Sequence, residues 1–543
     1  MSPMKKAFWE SLCMKEEDFE KPKIAIINSS SGVAPCYAHL DYIAQVIAED
    51  LKQLGVVPFE IRTTAPSDFI YGGHHGGYIQ GSRDLISYDI EAAVEGAVLD
   101  GMICLASCDK TLPGQMMAAA RINVPTIIVA CGYQPAGSYK GKRFDIEDLF
   151  LSSGYYAMGK ISKDEIDEMA RNALTGPGVC QGIGTANTMH IACEALGFCL
   201  PESTPVLANS EHMWECVHTA SKRIVEMVKN NVCPRDLLTK EAFENAVKVI
   251  LSVCGSTNSI KHLQAIASSA DLNTDIFEMF DKYADDVPLL AGIKPNGPYS
   301  IDDMEAAGGT AALMKQLSPK LNLDVMTVSG KTVRENLKNV KVKNKDVLRP
   351  MDHAFNYRPA IVLVKGNVAT DYGVIKLQIT DAYKSGYFKG PAKVFRSDQE
   401  SIVAVREGRV KKGDVIVVPG LGIKGTPGMS SVTGTLFALK GAGLGSAVAI
   451  ITDGHASGLC NAGLMAVDIC PEAAEGGVIG LIRDGDIVTI DTKKKIIDVN
   501  LTKGEIEKRR EDTPDYLSKG EEGWLKILQE KAKSLHMGGG SMS

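Results

Sequence analysis

Short β-branched runs alternating with amphipathic stretches constrain this fold most. Lys23-Ile24-Ala25-Ile26-Ile27 reads as a buried strand, and residues 38–54 as the helix after it. Gly101-Met102-Ile103-Cys104-Leu105 and residues 124–130 read as further buried strands around a helix over residues 115–120. Strands alternating with helices require crossover connections, which give a parallel sheet covered on both faces. Longer helical patterns follow over residues 163–173 and 240–253. The character changes near Arg349-Pro350. Short strands are expected at residues 360–365, 414–418 and 447–452, and residues 486–490 and 496–501 read as a hairpin joined by a lysine-rich turn. The expected organisation is an α/β N-terminal domain over residues 1–350 and a mainly β C-terminal domain over residues 351–543. Residues 504–535 are charged and helical in pattern, and the Gly/Ser end after them reads as flexible.

Three cysteines fall at the same punctuation of this pattern. Cys36 stands between the first strand and its helix, Cys108 just past a buried strand, and Cys180 in the loop before a helix beginning near Thr185. In an open α/β sheet, ligands gather outside the carboxyl ends of the strands. Helix starts also favour the thiolate that metal ligation requires. These three are therefore candidate ligands, whereas Cys104, Cys193 and Cys199 read as small buried hydrophobes. Three thiolates on a cluster leave one iron position open to a substrate oxygen. Spacing alone does not separate a 2Fe–2S from a 4Fe–4S cluster, or exclude zinc. Thirteen cysteines, an odd number, suit a reducing compartment better than a disulfide framework. The start is neither a signal peptide nor a membrane span, so a cytoplasmic address is expected. A formal net charge of −7 argues against nucleic acid and anionic membrane as partners.

The run Cys108-Asp109-Lys110-Thr111-Leu112-Pro113-Gly114 resembles the first signature of the family of dihydroxy-acid, phosphogluconate and sugar-acid dehydratases. Thr452-Asp453-Gly454-His455-Ala456-Ser457-Gly458 is similar to its second signature. Thr185-Ala186-Asn187, Gly255-Ser256-Thr257-Asn258 and Gly425-Thr426-Pro427-Gly428-Met429 add matches in the family's order. The resemblance implies an N-terminal α/β domain carrying an iron–sulfur cluster on Cys36, Cys108 and Cys180, and a barrel-like C-terminal domain bearing Ser457. It implies dehydration of a small dihydroxy acid or sugar acid to a 2-keto acid, with the site between the domains and a homodimer or homotetramer as the assembly. It also implies a Mg2+ site at Asp109 and a carbamylated Lys110, with Ser457 as the base that takes the C2 proton. Taken alone, Asp109 reads as a helix cap, Lys110 as a solvated side chain and Ser457 as a turn residue.

The chain departs from that pattern at the magnesium site. Two family glutamates are absent: His74 or His75 stands at the first position and Ser431 at the second, while His455 replaces an Arg of the second signature. The histidines would suit another divalent metal, or serve as acid/base or carboxylate-binding groups, with His75 the catalytic candidate. Ser431, His455, Thr185 and Asn187 are expected to touch substrate. The expected activity is that of a hydro-lyase with a modified second-metal site. The alternatives are a non-catalytic or redox-sensing member that keeps the cluster, or a lyase eliminating a different leaving group.

Overall fold

A computed structural model describes residues 2–73, 76–377, 386–459 and 463–541. The first sheet consists of β1 (Lys23–Asn28), β2 (Val57–Arg62), β3 (Gly101–Ala106) and β4 (Thr126–Ala130), all parallel, in the order β2-β1-β3-β4. β1, β3 and β4 are buried along their whole length, as their unbroken apolar runs require. The chain runs from β1 outward to β2, then returns to β3 on the other side. The topological switch therefore lies between β1 and β3, where an open α/β sheet offers its ligand crevice. Helix Leu40–Gln53 follows β1 with one apolar face buried through Leu40, Ile43, Ile47 and Leu51. Helix Thr111–Ile122 follows β3 and is buried from Thr111 to Ala120. Pro113 is tolerated there because the first turn of a helix has no intrahelical partner for that N–H.

A small hairpin, β5 (Gly137–Tyr139) and β6 (Lys142–Phe144), follows the first sheet. The second region holds an eight-stranded sheet of β7 (Ile361–Val364), β8 (Tyr372–Lys376), β9 (Tyr387–Val394), β10 (Val415–Val418), β11 (Ala449–Thr452), β12 (Leu464–Cys470), β13 (Ile487–Asp491) and β14 (Ile496–Val499). Its order is β14-β13-β9-β10-β11-β12-β8-β7, and a bridge between Lys365 and Ile496 brings its two ends together, so it is nearly closed. The expected hairpin is present as β13 and β14. The middle of the sheet, β9 to β12, is parallel, with helices Asp398–Arg406 and Thr433–Ala442 in its crossovers. This barrel has its own core, including Val364, Val417, Ile451, Val488 and Ile497.

The Gly/Ser end departs from its expected flexibility. Ser541 is buried, and its backbone N–H donates to Asp84 at 2.7 Å while its hydroxyl contacts Tyr88 at 2.8 Å. A paired buried polar group holds the end down, which composition alone does not reveal. No helix among the described residues is long and apolar enough to cross a membrane.

Candidate functional site

The three predicted cysteine loops meet because β1 and β3 are neighbours. Ser107 Oγ donates to the Cys36 carbonyl, joining the loop after β1 to the loop after β3. Thr111 Oγ1 accepts from Ser107 N–H and donates to the Cys108 carbonyl, each at 2.9 Å, which closes the Cys-Asp-Lys-Thr turn. The Cys180 loop is braced by Asn187, whose amide nitrogen donates to the carbonyls of Cys180 and Gly182 at 2.8 Å each. Asp109 accepts from Ala186 N–H at 3.1 Å, so it ties the Cys108 turn to helix Thr185–Ala195 rather than capping its own helix. From the barrel side, Ser431 and His455 form a bridge, and Thr433 Oγ1 accepts from Ser457 N–H at 2.9 Å. Asp453 accepts from the N–H groups of Gly420, Leu421 and Ala473, which anchors the loop that presents His455 and Ser457.

The two sides enclose a cavity of about 200 Å³. Its polar wall carries Cys108, Asp109, Cys180, Ser431, His455 and Ser457, with Thr185 and Asn187 beside them. Its apolar wall is Phe69, Ile79, Phe150 and Leu459. Cys36 is buried against Cys108, and Lys110 is fully buried rather than solvated. His74 and His75 lie outside the described residues. Thr185 is committed to Ser256 and Asn258, at 2.9 and 3.1 Å.

The electrostatics correct one expectation and add one residue. A helix start was expected to favour thiolates, yet contact with Cys36 and then burial push the Cys108 thiol up, and burial with the charge of Asp109 does the same to Cys180. Enclosed thiols beside carboxylates lose their protons only against a strong positive centre. Among the described residues, no three His, Cys, Asp or Glu side chains converge on one ion position. A polynuclear cluster does not require such convergence, and three thiols on separate loops fit an iron–sulfur cluster. The added residue is Asp68. Its Oδ2 lies 3.6 Å from Lys110 Nζ, and Asp109 lies 3.8 Å from the same nitrogen. Although 26% of the Asp68 side chain is open, its Oδ1 is enclosed without a partner, as is Lys110 Nζ, among the described residues. Burial, then the charge of Asp109, pushes the Asp68 carboxyl up to about 8. Asp68 and Asp109 thus bring hard oxygen donors to one place, and they would accept a cation if Lys110 carried no ammonium charge. Only tertiary contact marks Asp68, because in sequence it is one Asp in a loop.

Residues 21–336 match the dihydroxy-acid/6-phosphogluconate dehydratase N-terminal family model, and residues 346–539 match its C-terminal counterpart. The chain belongs to this family. Two similar proteins, each described as "Dihydroxy-acid dehydratase", come from Caldicellulosiruptor saccharolyticus and Caldicellulosiruptor bescii. Each is 37% identical over 536 residues, covering 98% of this chain and 97% of the relative. As a dehydratase-family member, the chain is an enzyme of the hydro-lyase class.

Proposed function

We propose that this protein dehydrates a small dihydroxy acid or sugar acid to a 2-keto acid, with an iron–sulfur cluster on Cys36, Cys108 and Cys180 and a divalent cation at Asp68, Asp109 and a carbamylated Lys110. The observation that carries this reading is the meeting of Ser457 with Cys108, Cys180 and Asp109 around one cavity. When bound, the metal groups would supply Lewis acidity for the departing hydroxyl and positive charge for the substrate's oxygens. Ser457, as its alkoxide, takes the C2 proton and hands it to the departing C3 hydroxyl, which leaves as water; the resulting enol tautomerises to the 2-keto acid. The Ser457 Oγ also accepts from Leu459 N–H at 3.2 Å, which fixes its position and stabilises negative charge on it. Ser431 and Thr433 are linked through their hydroxyls at 2.6 Å, and they take the neutral role of orienting a substrate hydroxyl. His455, held neutral by burial and by Lys261 and Lys110, would contact substrate without adding charge. Phe69, Ile79, Phe150 and Leu459 exclude water from the carbon chain.

Every cysteine among the described residues is a free thiol, which favours a reducing, cytoplasmic setting. A homodimer or homotetramer is the assembly we propose. The test is anaerobic purification followed by absorption spectroscopy and a keto-acid assay over a panel of polyhydroxy acids. The expected result is iron-linked colour that Cys108→Ser abolishes, with keto-acid formation from at least one substrate. A colourless, iron-free native protein would overturn the cluster assignment; an intact cluster with no turnover across the panel would overturn the activity.

A further inference from the structure

Ser457 sits between two peptide groups, and each is held at both of its ends. The first joins Ala456 to Ser457. Its carbonyl accepts from the Asn258 side-chain amide at 3.3 Å, and its N–H donates to Thr433 Oγ1 at 2.9 Å. The second joins Gly458 to Leu459. Its carbonyl accepts from Lys376 Nζ at 2.7 Å, a charge-assisted bond, and its N–H donates to Ser457 Oγ at 3.2 Å. A peptide group is planar and conjugated, so charge drawn to its oxygen makes its N–H a stronger donor. One peptide group therefore connects an ammonium to the proposed base.

Packing sets this link. Lys376 ends β8, which is buried from Tyr372 to Ile375 and pairs with β12. A bulge in β12, between Val467 and Cys470, aims Asp468 at Lys261, and both carboxylate oxygens accept from Nζ at 2.9 Å. Lys261 lies on helix Asn258–Ser269, so this buried pair locks the helix that carries Asn258 to the sheet that carries Lys376. Gly458 is pressed against the same helix start: an added Cβ would stand 2.6 Å from Ser256 Cβ and 3.0 Å from the Gly184 carbonyl carbon. The turn bearing Ser457 has no room to move that way. The titratable neighbours acting with Lys376 are Glu147, in the first turn of helix Ile146–Ala157, and Cys254, just after helix Lys240–Ser252. Burial pushes both groups up, so both are mainly neutral at pH 7. The titratable groups that share the cavity with Ser457 are Asp68, Cys108, Asp109, Cys180 and His455.

We propose that Lys376 is a positioning residue for Ser457: through the Gly458–Leu459 peptide it aims an N–H at Oγ and favours the alkoxide there. A serine acts as a base only in that form, which needs positive charge or strong donors close by. Polarisation along a hydrogen-bond chain strengthens the next bond by only about 10–30%. The larger share therefore falls to the ammonium charge, and a neutral donor in its place restores only part of the effect. The proposal rests on the dehydratase reading for the task of Ser457 as base, whereas the state of its oxygen is measurable without turnover.

The experiment uses the full-length, cluster-loaded protein and methanesulfonyl fluoride, a small reagent that an alkoxide attacks. The Oγ–S bond forms as the S–F bond breaks, and fluoride leaves. Labelling of Ser457 is followed by peptide mass analysis across a pH series. Lys376→Met is expected to slow labelling at neutral pH by about tenfold and to move the rise of rate with pH upward by about one unit. Lys376→Arg, which keeps a charged donor, should stay within about threefold of wild type, and Lys376→Gln should fall between the two. Melting temperature and cluster absorption establish that each variant is folded; where Lys376→Met is not, Lys376→Gln takes its place. Equal rates and profiles in the folded variant and wild type would overturn the proposal. So would a lower rate with an unshifted profile, which marks a merely structural role, or a wild type whose Ser457 takes no label. Keto-acid formation is assayed in parallel. Labelling that depends on Lys376 in a protein without turnover upholds the proposal and counts against the dehydratase reading. Turnover with labelling indifferent to Lys376 does the reverse.

Discussion

Asp68 and Lys110 show how much of this site depends on single atoms. Lys110 is completely buried, and its nearest acidic groups are the carboxyls of Asp68 and Asp109 at 3.6 and 3.8 Å. Asp68→Asn removes an oxygen ligand that a bound cation would ionise. We expect it to lower the affinity for an added divalent cation by about tenfold or more, read by metal titration of the protein. Ser457→Ala removes the proposed base while leaving Thr433 and the loop in place. It should reduce turnover by about 10²–10⁴-fold with melting temperature nearly unchanged, measured by keto-acid formation and calorimetry. Equal turnover in this variant would exclude Ser457 as the base. The sequence marked Ser457 through its motif, but it could not mark Asp68, whose role depends on a partner from another loop.

At the scale of elements, the helices legible in sequence were those with strong periodicity and local caps. Helix Lys163–Ala173 falls where the pattern placed it, with Ser162 accepting from Glu165 N–H at 3.2 Å. Packing between helices was less visible. Helix Thr111–Ile122 lies against helix Gly77–Ala97 at Gly114, where an added Cβ would stand 2.6 Å from the Arg83 carbonyl oxygen. Gly114→Val should therefore cost about 1–3 kcal/mol in urea unfolding and reduce cluster retention, because the helix carrying the Cys108 turn must shift. Glu147 sits in the first turn of helix Ile146–Ala157, and burial, then the charge of Asp145, raises its carboxyl to about 8. A carboxyl raised on folding contributes stability below its ordinary value near 4.5, and that contribution is lost as pH climbs toward about 8. Glu147→Gln should thus gain melting temperature relative to wild type between about pH 5 and pH 8, by about 2–3 °C. A pH-independent difference in melting scans would contradict the buried, protonated state.

At the scale of the whole molecule, the C-terminal end closes onto the first region. Ser541 binds Asp84, which in turn holds Arg83, a fully buried residue that contacts His262. Removing residues 538–543 should lower the melting temperature by about 2–4 °C and weaken substrate binding, with cluster content retained. Scanning calorimetry and calorimetric binding would measure the two effects, and an unchanged affinity would disconnect the tail from the site. The sequence by itself determined the parallel sheet, the barrel hairpin and the placing of three cysteine loops, because period, turn chemistry and motif are local. Tertiary structure alone decided that Asp68 faces Lys110, that Ser541 is buried and that Lys261 meets Asp468 across a separation of 207 residues. Those pairings depend on which loops the sheet order makes neighbours and on a bulge that turns one carboxylate inward. No local propensity encodes either one.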